Sequence, residues 1–452
     1  MELAGKKVLI IGLGASGVAA ADLCLDRGAI VVANDSAPAS ALSSAAQRLE
    51  AKGARIVAGG HDSVDVSRAD LVVVSPGVPP LPIIDRAKAR GIEVIGEVEL
   101  ASRLLTAPIL AVGGTNGKST TTTLAAAILE SSGKVVFAGG NLGEPLSRAV
   151  ERRLDVAIVE VSSFQMERVR QFRPRVAVLL NVTDDHLDRY PSFAAYAAAK
   201  GNMFVQQTDD DVAVVPKGDN IVLREAERGG ARVVTFGPGG DVSVQGGFVV
   251  DSLRGRRYST DGFRLSGAHN ALNLSAAVAA ASELGATEEG IGRAMETFRG
   301  LEHRTAFVAE YRKVRYYDDS KGTNVGATVA ALRGLVEPKV VLIAGGRDKL
   351  GSYEPLAAEL ARKGRAIVVI GEAAERIAET AAKVIPVVRA GSMSEAVRAA
   401  AGEAEPGDAV LLSPACSSFD MFRDYKHRGE VFVESVLEML ASDPSRAGGR
   451  SS

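Results

Sequence analysis

One octapeptide constrains this chain more than any other feature. The run Gly113-Gly114-Thr115-Asn116-Gly117-Lys118-Ser119-Thr120 follows the apolar segment Ile109–Val112 and precedes a helix-forming segment, Thr121–Leu129. Glycines let backbone N–H groups turn toward a polyphosphate, and the start of a helix adds positive potential. Lys118 can then reach the β- and γ-phosphates, and the Ser119 hydroxyl can ligate Mg²⁺. This strand–loop–helix unit predicts a site for ATP or GTP.

Composition and length restrict the number of domains, the partners and the compartment that we expect for this chain. A chain of 452 residues is long enough for two to three domains. Its 53 Lys and Arg against 55 Asp and Glu give a net charge of −2, which offers no general attraction to nucleic acid or anionic lipid. Cys24 and Cys416 are too few for a disulfide framework. With no signal-peptide pattern and no apolar run of bilayer length, we expect a cytoplasmic protein without membrane partners. We also expect a monomer without nucleic-acid partners.

The order of the predicted elements indicates an α/β fold in three domains. Strand and helix patterns alternate through the first and last segments, which is typical of parallel sheets covered by helices. The central segment adds short β runs with glycine turns between about Asp241 and Leu265, which predicts a small antiparallel insertion. We place a Rossmann-like domain at 1–97, a central phosphate-loop ATPase domain at 98–301, a second Rossmann-like domain at 302–441 and a disordered tail at 442–452.

A second glycine-rich loop lies near the N-terminus. Gly12-Leu13-Gly14-Ala15-Ser16-Gly17 follows the first predicted strand, and Asp35 ends the next one. This is the dinucleotide-binding pattern, with the acid placed for a ribose diol, and alone it favours an NAD-dependent oxidoreductase. The same geometry binds any diphosphate, and 97 residues are few for a six-stranded dinucleotide domain. We favour a nucleoside diphosphate group and keep NAD as the alternative.

Polar residues follow several other apolar segments. Glu160 ends a predicted strand, where an acid that holds a metal ion is expected. His186 lies in an acidic run after the next strand, which can hold a second cation. Periodicity alone predicts that Lys200 is an exposed surface lysine. In the last segment, polar runs at 303–304, 318–324 and 413–420 face a ligand rather than a core, and we expect Cys416 to be packed rather than nucleophilic.

Six of these blocks occur in the order found in the Mur ligases, and the chain resembles that family over nearly its whole length. The blocks are Gly-Thr-Asn-Gly-Lys-Ser-Thr, Glu-Val-Ser-Ser-Phe-Gln, Asp-His-Leu-Asp-Arg-Tyr, Glu-His-Arg, Asp-Ser-Lys-Gly-Thr-Asn and Ser-Pro-Ala-Cys-Ser-Ser-Phe-Asp. The last block is most similar to that of the members that add D-glutamate to UDP-N-acetylmuramoyl-L-alanine. An Asp-Asn-Pro-Arg motif, usual in the members that add a diamino acid, is absent from the sequence.

The resemblance implies an ATP-dependent ligase of peptidoglycan precursor synthesis that uses Mg²⁺, with two ions, and passes through an acyl phosphate. It implies that the nucleotide is bound by Gly114, Thr115, Asn116, Gly117, Lys118, Ser119, Thr120, Asn270, Asn273, Arg304 and Asp319. It assigns metal binding to Ser119, Glu160, His186 and Lys200, with Lys200 carbamylated, and catalysis to Lys118, Glu160, His186 and Lys200. The alternatives are a different Mur ligase specificity and a ligase like folylpolyglutamate synthase.

The resemblance also implies two further sets of substrate contacts. The UDP-linked substrate is assigned to Ala15, Ser16, Asp35, Ser36, Gly77 and Asn141. D-Glutamate is assigned to Lys321, Thr323, Lys349, Ser418, Phe419 and Tyr425. Two of these positions depart from the family pattern: Ala15 is small, and Tyr425 stands where phenylalanine is frequent. Both departures concern packing against the ligand and leave the reaction unchanged.

Overall fold

The computed structural model describes residues 1–185, 189–265, 267–349 and 351–442. These residues form three mostly parallel β-sheets with helices around them, so the predicted α/β class is confirmed. The chain divides into two compact units. One consists of Met1–Val182, Ala194–Phe263 and Ala271–Phe298, and the other of Thr183–Phe193, Arg264–Asn270 and Arg299–Ser452. Residues 443–452 of the predicted tail and the predicted ligand His186 lie outside the described residues.

The first sheet is parallel throughout, with strand order β3-β2-β1-β4-β5. Its strands are β1 (Lys7–Ile11), β2 (Ile30–Asp35), β3 (Arg55–Ala58), β4 (Leu71–Val74) and β5 (Glu93–Gly96), and its helices are α1 (Ala15–Asp26), α2 (Ser44–Ala51), α3 (Pro82–Ala89) and α4 (Glu97–Ser102). The strand order reverses between β1 and β4, and a crevice opens at such a point beyond the carboxyl ends of the strands. The loops after β1 and β4 therefore meet there.

The second sheet has nine strands in the order β14-β13-β12-β11-β10-β9-β6-β8-β7. Its strands are β6 (Ile109–Gly113), β7 (Val136–Gly140), β8 (Val156–Glu160), β9 (Val176–Leu179), β10 (Val212–Pro216), β11 (Arg232–Phe236), β12 (Val242–Gln245), β13 (Phe248–Asp251) and β14 (Arg256–Ser259). The helices are α5 (Lys118–Ser131), α6 (Ser163–Met166), α7 (Phe193–Gly201), α8 (Asn220–Ala226), α9 (Ala268–Glu283) and α10 (Glu288–Thr297). The antiparallel strands β12 to β14 are the predicted insertion, and they extend the parallel sheet.

The third sheet has the order β15-β16-β20-β17-β18-β19, and only the β15–β16 pair is antiparallel. Its strands are β15 (Ala306–Tyr311), β16 (Val314–Asp318), β17 (Val340–Gly345), β18 (Gly364–Ile370), β19 (Val387–Arg389) and β20 (Ala409–Leu412). The helices are α11 (Val325–Gly334), α12 (Glu354–Lys363), α13 (Ala374–Ala381), α14 (Met393–Glu403) and α15 (Tyr425–Ala441). The loops after β16, β20 and β17 follow three adjacent strands.

The burial of each strand explains why the sequence pattern predicts some strands and not others. β6, β8, β17 and β20 are buried at every position, because helices cover both faces of a parallel sheet and demand continuous apolar runs. The sequence pattern did not predict β3, β7, β11 and β15, because each of these strands carries exposed or half-buried positions, and β7 also ends in two glycines. In the described part of the chain, no helix is both long and apolar enough to cross a bilayer.

Candidate active site

The octapeptide forms a tight loop between β6 and α5. Gly114 has φ +144° and Gly117 has φ +86°, which are backbone conformations that glycine adopts without steric cost. A Cβ at Gly117 would lie 2.3 Å from Asn273 Oδ1, so a side chain there would displace Asn273 or the loop. The side-chain oxygen of Asn181, which follows β9, accepts from the backbone N–H groups of Thr115 (3.2 Å) and Asn116 (2.9 Å). The predicted strand–loop–helix geometry is present, and the Asn181 side chain helps to fix the loop.

Two lysine side chains meet on one carbonyl oxygen of this loop. Lys118 Nζ donates to Gly114 O at 2.9 Å and to Thr115 O at 2.8 Å. Lys200 Nζ donates to the same Gly114 O at 2.8 Å and lies 4.6 Å from the ring centroid of Tyr196. Lys200 is 3% exposed, so the surface position predicted from periodicity is wrong. Its helix packs against the phosphate loop, which a helical pattern by itself does not reveal.

Oxygen ligands for a divalent cation stand beside the two lysines. Ser119 Oγ donates to Glu160 Oε2 at 2.6 Å, and Asn141 Nδ2 donates to Glu160 Oε1 at 2.8 Å. Glu160 is 2% exposed at the end of β8. A hydroxyl and a carboxylate are hard oxygen ligands that suit Mg²⁺. Ser119 and Glu160 therefore fit the metal that the sequence predicts, whereas the position of His186 is not described.

A pocket of about 590 Å³ opens at the crevice of the first sheet. All six residues assigned to the UDP-linked substrate line it: Ala15, Ser16, Asp35, Ser36, Gly77 and Asn141. Asp35 accepts hydrogen bonds from the backbone N–H groups of Leu13 (2.6 Å) and Ala37 (2.8 Å). The carboxylate therefore also fixes the glycine loop. A Cβ at Gly17 would lie 1.8 Å from Gly12 O, which explains the last glycine of the pattern.

The pocket also contains His61 and Gln165, which the sequence did not single out. The buried Asn34 amide donates through Nδ2 to Val57 O (2.9 Å) and Gly60 O (2.7 Å), so its Oδ1 is the acceptor that faces His61 Nδ1 at 2.6 Å. His61 Nδ1 therefore carries a hydrogen, which leaves Nε2 for other partners. The hydrogen bond between Asn34 and His61 joins β2 to the loop after β3, and no sequence motif predicts it.

The loop after β16 carries Asp319 and lies beside Arg304. Asp319 is buried and accepts hydrogen bonds from Ser413 Oγ (2.6 Å) and the Thr305 backbone N–H (3.2 Å). Burial raises the pKa of Asp319 to about 7, against the opposing effects of the Ser413 hydroxyl and the Arg304 charge. Among the described residues, the buried Nε of Arg304 has no hydrogen-bond acceptor. A donor left without an acceptor suits an anionic ligand.

The backbone on both sides of Arg304 is strained. His303 has φ +59° and Thr305 has φ +47°, and a β-branched residue rarely adopts such a conformation. The His303 Nδ1 atom lies 2.6 Å from Asp318 Oδ2 and helps to hold this turn. Strain of this kind is typical of functional loops, because it must be held in place by the surrounding contacts.

The residues assigned to D-glutamate lie in the second compact unit. Lys321 Nζ is 3.4 Å from the Tyr425 hydroxyl and 4.9 Å from the ring centroid. Lys349 forms a 3.1 Å ion pair with Asp185. Ser418 is buried, whereas Phe419 is 62% exposed. Thr323 lies in the same loop as Lys321, and its N–H donates to Lys321 O. These side chains come from the loops after β16, β17 and β20 and the start of α15.

Arg428 is a further residue that sequence reasoning missed. Its guanidinium is fully buried and donates to Ser320 O (2.8 Å), Ser320 Oγ (3.1 Å) and Cys416 O (3.2 Å). Burial lowers the pKa of Arg428 to about 10. Arg428 ties two polar loops together from α15. Cys416 is buried, as expected, and burial raises the pKa of its thiol to about 11.

Comparisons with known proteins agree with this geometry. The Mur ligase middle domain matches residues 112–281, the glutamate ligase domain of the Mur ligases matches 303–416, and the MurD-like N-terminal domain matches 6–96. A protein from Trichlorobacter lovleyi, named UDP-N-acetylmuramoylalanine--D-glutamate ligase, is 43% identical over 452 residues, covering 97% of this chain and 100% of that protein. The chain belongs to the Mur ligase family.

Solved structures of Mur ligases share the fold. A pseudomurein peptide ligase type C from Methanothermus fervidus superposes with a TM-score of 0.64 at 19% identity, covering 96% of this chain and all of that one. The MurF ligase from Thermotoga maritima, solved in complex with ADP, gives 0.60 at 18% identity and covers 98% and 96% of the two chains. At these identities the likeness concerns the fold alone. As a Mur ligase, the chain is an ATP-dependent ligase rather than an NAD-dependent oxidoreductase.

Proposed function

We propose that this chain joins D-glutamate to UDP-N-acetylmuramoyl-L-alanine with the conversion of ATP to ADP and phosphate. The observation that carries the chemistry is the glycine loop, where Lys118 and Lys200 place two ammonium groups on Gly114 O beside the Ser119–Glu160 pair. Such a concentration of positive charge and oxygen ligands suits a triphosphate. The choice of D-glutamate rests on the name of relatives about 43% identical over nearly the whole chain.

The reaction proceeds in two steps. The alanyl carboxylate attacks the γ-phosphorus of ATP, the bond to the β-phosphate oxygen breaks, and an acyl phosphate and ADP form. The amine of D-glutamate then attacks the acyl carbon, loses a proton, and phosphate leaves with the electrons of the C–O bond. Lys118 faces the charge that spreads over the phosphoryl oxygens, and this stabilisation is the main catalytic contribution. Exclusion of water protects the acyl phosphate from hydrolysis.

Metal binding is assigned to the same group of residues. Ser119 and Glu160 would hold one Mg²⁺, and His186 and a carbamylated Lys200 would serve a second. Bound Mg²⁺ supplies charge neutralisation on the phosphate oxygens. For ATP we retain the loop residues together with Asn270, Asn273, Arg304 and Asp319. The buried donor of Arg304, which has no acceptor within the described residues, supports a phosphate contact there.

The carbamate on Lys200 has a physical rationale and a test of its own. Lys200 is buried and contacts Gly114 O, and a carbamate would replace its positive charge with a carboxylate-like group that can bind a metal ion. We expect Lys200→Ala to be nearly inactive and to regain part of its activity with short-chain carboxylates. Full activity of Lys200→Ala without added carboxylate would exclude the carbamate.

We keep the three-domain division as part of the proposal. Residues 1–97 bind the UDP end of the substrate, 98–301 bind ATP, and 302–441 bring in D-glutamate. We also place the reaction in the cytoplasm, as the two buried free cysteines suit a reducing compartment.

One assay tests the function and its competitors together. Phosphate release from ATP is measured with UDP-N-acetylmuramoyl-L-alanine and, in turn, D-glutamate, L-lysine, meso-diaminopimelate and L-alanine. We expect release with D-glutamate alone. Release with another amino acid would assign a different Mur ligase specificity. Release only with a folate substrate and L-glutamate would favour a folylpolyglutamate synthase-like enzyme.

A further inference from the structure

The turn after β4 forms a wall of the substrate pocket. Ser75, Pro76, Gly77 and Val78 all line it. The turn is closed by a hydrogen bond from Val78 N–H to Ser75 O (3.1 Å), and Ser75 Oγ donates to Gly12 O at 2.7 Å. The residues after Val78 are Pro79 and Pro80, which carry no N–H donor. Ser75 N–H still donates to Ile11 O of β1 at 2.9 Å, but the prolines after Val78 cannot continue this ladder. Beyond Ser75, side-chain contacts therefore contribute to holding the turn.

Arg168, distant in sequence, binds this turn from the central segment. Its Nη1 donates to Ser75 O at 3.3 Å and its Nη2 to Val78 O at 3.0 Å. Its own carbonyl accepts from Gly96 N–H at 3.0 Å, and a Cβ at Gly96 would lie 3.3 Å from Arg168 Cβ. The planar guanidinium fork matches two carbonyls in a fixed geometry, which a lysine cannot do. Arg168 is half-buried, so this contact is partly shielded from water.

The segment that carries Arg168 also reaches the phosphate loop. Glu160, at its start, accepts from Ser119 Oγ, and Gln165 lines the substrate pocket. A capping box at Ser162 and Gln165 fixes the short helix α6 between them. One short segment therefore contacts the catalytic loop at one end and the pocket wall at the other.

We propose that Arg168 is a positioning residue for the UDP-linked substrate. It does not touch the reacting atoms. It holds the Ser75–Val78 wall at a fixed place relative to Glu160, and so sets where the sugar end of the substrate lies relative to the phosphate loop. This inference rests on the proposed function, in which Gly77 lies along the muramoyl end.

The test compares Arg168→Met, which keeps the apolar stem, with Arg170→Met as the matched control. Arg170 is exposed, and its backbone N–H, which the substitution leaves in place, donates to Glu99. For Arg168→Met we expect KM for UDP-N-acetylmuramoyl-L-alanine to rise about 5- to 20-fold, the scale of one or two lost charged hydrogen bonds. KM for ATP and for D-glutamate should change less than about twofold, and Arg168→Lys should be intermediate. Arg170→Met should match the wild type.

Calorimetric binding separates this inference from the proposed function. Arg168→Met should lose affinity for the full substrate and keep its affinity for UDP alone, because the proposed function places Gly77 along the muramoyl end of the substrate. An unchanged KM, an equal rise for all three substrates, or an equal loss of UDP affinity would overturn the role of Arg168. A wild-type protein that does not bind the full substrate would overturn the proposed function, and this inference with it.

Discussion

At the scale of single residues, the most informative feature is a pair of lysine ammonium groups that donate to one carbonyl oxygen. Lys118 and Lys200 both donate to Gly114 O, one from the start of α5 and the other from the buried face of α7. Like charges this close repel each other, and the cost is offset when an anion binds or when one amine is modified. Because Lys118 is assigned to the nucleotide and Lys200 to the metal, either anion binding or modification of an amine would affect both sites.

The first prediction concerns Lys118. Lys118→Ala should lower turnover about 10²-fold or more, because a charge stabiliser that acts on the transferring phosphoryl group is lost. Steady-state phosphate release measures the effect, and Lys217→Ala, an exposed lysine of the same compact unit, is the control. Near-normal turnover of Lys118→Ala would exclude the phosphate assignment.

The second prediction concerns the buried carboxyl group of Asp319. Burial raises its pKa from 3.8 to about 7, so the folded state keeps the proton that the unfolded chain releases. Stability should therefore fall as pH rises from about 4 to about 7, by at most about 1.4 kcal/mol per pH unit, and stay level above that range.

Asp319→Asn should remove this loss, since an amide does not titrate. Urea unfolding of the ligand-free protein at several pH values measures it, with the exposed Asp261→Asn as the control. The same pH slope in Asp319→Asn and the wild type would show that another group is responsible.

Single residues also show what a sequence can and cannot predict. The places of Lys118, Ser119 and Glu160 in the fold were predictable, because each follows a buried strand, and the roles assigned to them stay predictions. Lys200 and Arg428 were not predictable from periodicity, since their burial depends on contacts with loops distant in sequence. A family resemblance found the first of these and not the second.

At the scale of elements, the loop between β6 and α5 depends on glycine conformation. Gly117 has φ +86° and would place a Cβ 2.3 Å from Asn273 Oδ1. Gly133, at the other end of α5, has a similar φ of +82°, and nothing in the described part of the chain lies within 4 Å of its Cβ. Substitution at Gly133 therefore tests backbone strain alone, whereas substitution at Gly117 tests backbone strain together with a steric clash.

The third prediction uses this pair. Gly117→Ala and Gly133→Ala should each lose about 1–2 kcal/mol of stability from the left-handed backbone. Only Gly117→Ala should raise KM for ATP, by about tenfold or more, because the new methyl group displaces either the loop or Asn273, and both are assigned to ATP. Thermal unfolding and nucleotide kinetics measure the two effects. Equal ATP kinetics in both variants would contradict the assigned loop geometry.

Elements were predictable where burial is complete. β6, β8, β17 and β20 are continuous apolar runs, and their ends were placed within a residue or two. The strands β7 and β11 were missed because glycines or exposed positions interrupt their pattern. The turn at Ser75–Val78 was predicted only as a motif, and its attachment to Arg168 was not visible in the sequence.

At the scale of the whole molecule, the loops assigned to ligands follow the carboxyl ends of strands in all three sheets. The loop after β1 lines the pocket assigned to the UDP-linked substrate, the loop after β6 carries residues assigned to the phosphates, and the loops after β16, β17 and β20 carry residues assigned to D-glutamate. Open parallel sheets place their ligands at such ends. The order of three α/β segments therefore already indicated three ligand sites.

The central claim is that ATP phosphorylates the alanyl carboxylate of the UDP-linked substrate at the glycine loop. The most direct measurement uses UDP-N-acetylmuramoyl-L-alanine labelled with ¹⁸O in that carboxylate, together with ATP and D-glutamate. The phosphate released is then analysed by mass spectrometry. An acyl phosphate carries one carboxylate oxygen to phosphorus, so we predict one ¹⁸O atom in each phosphate. Phosphate released without ¹⁸O, while amide forms, would contradict the account.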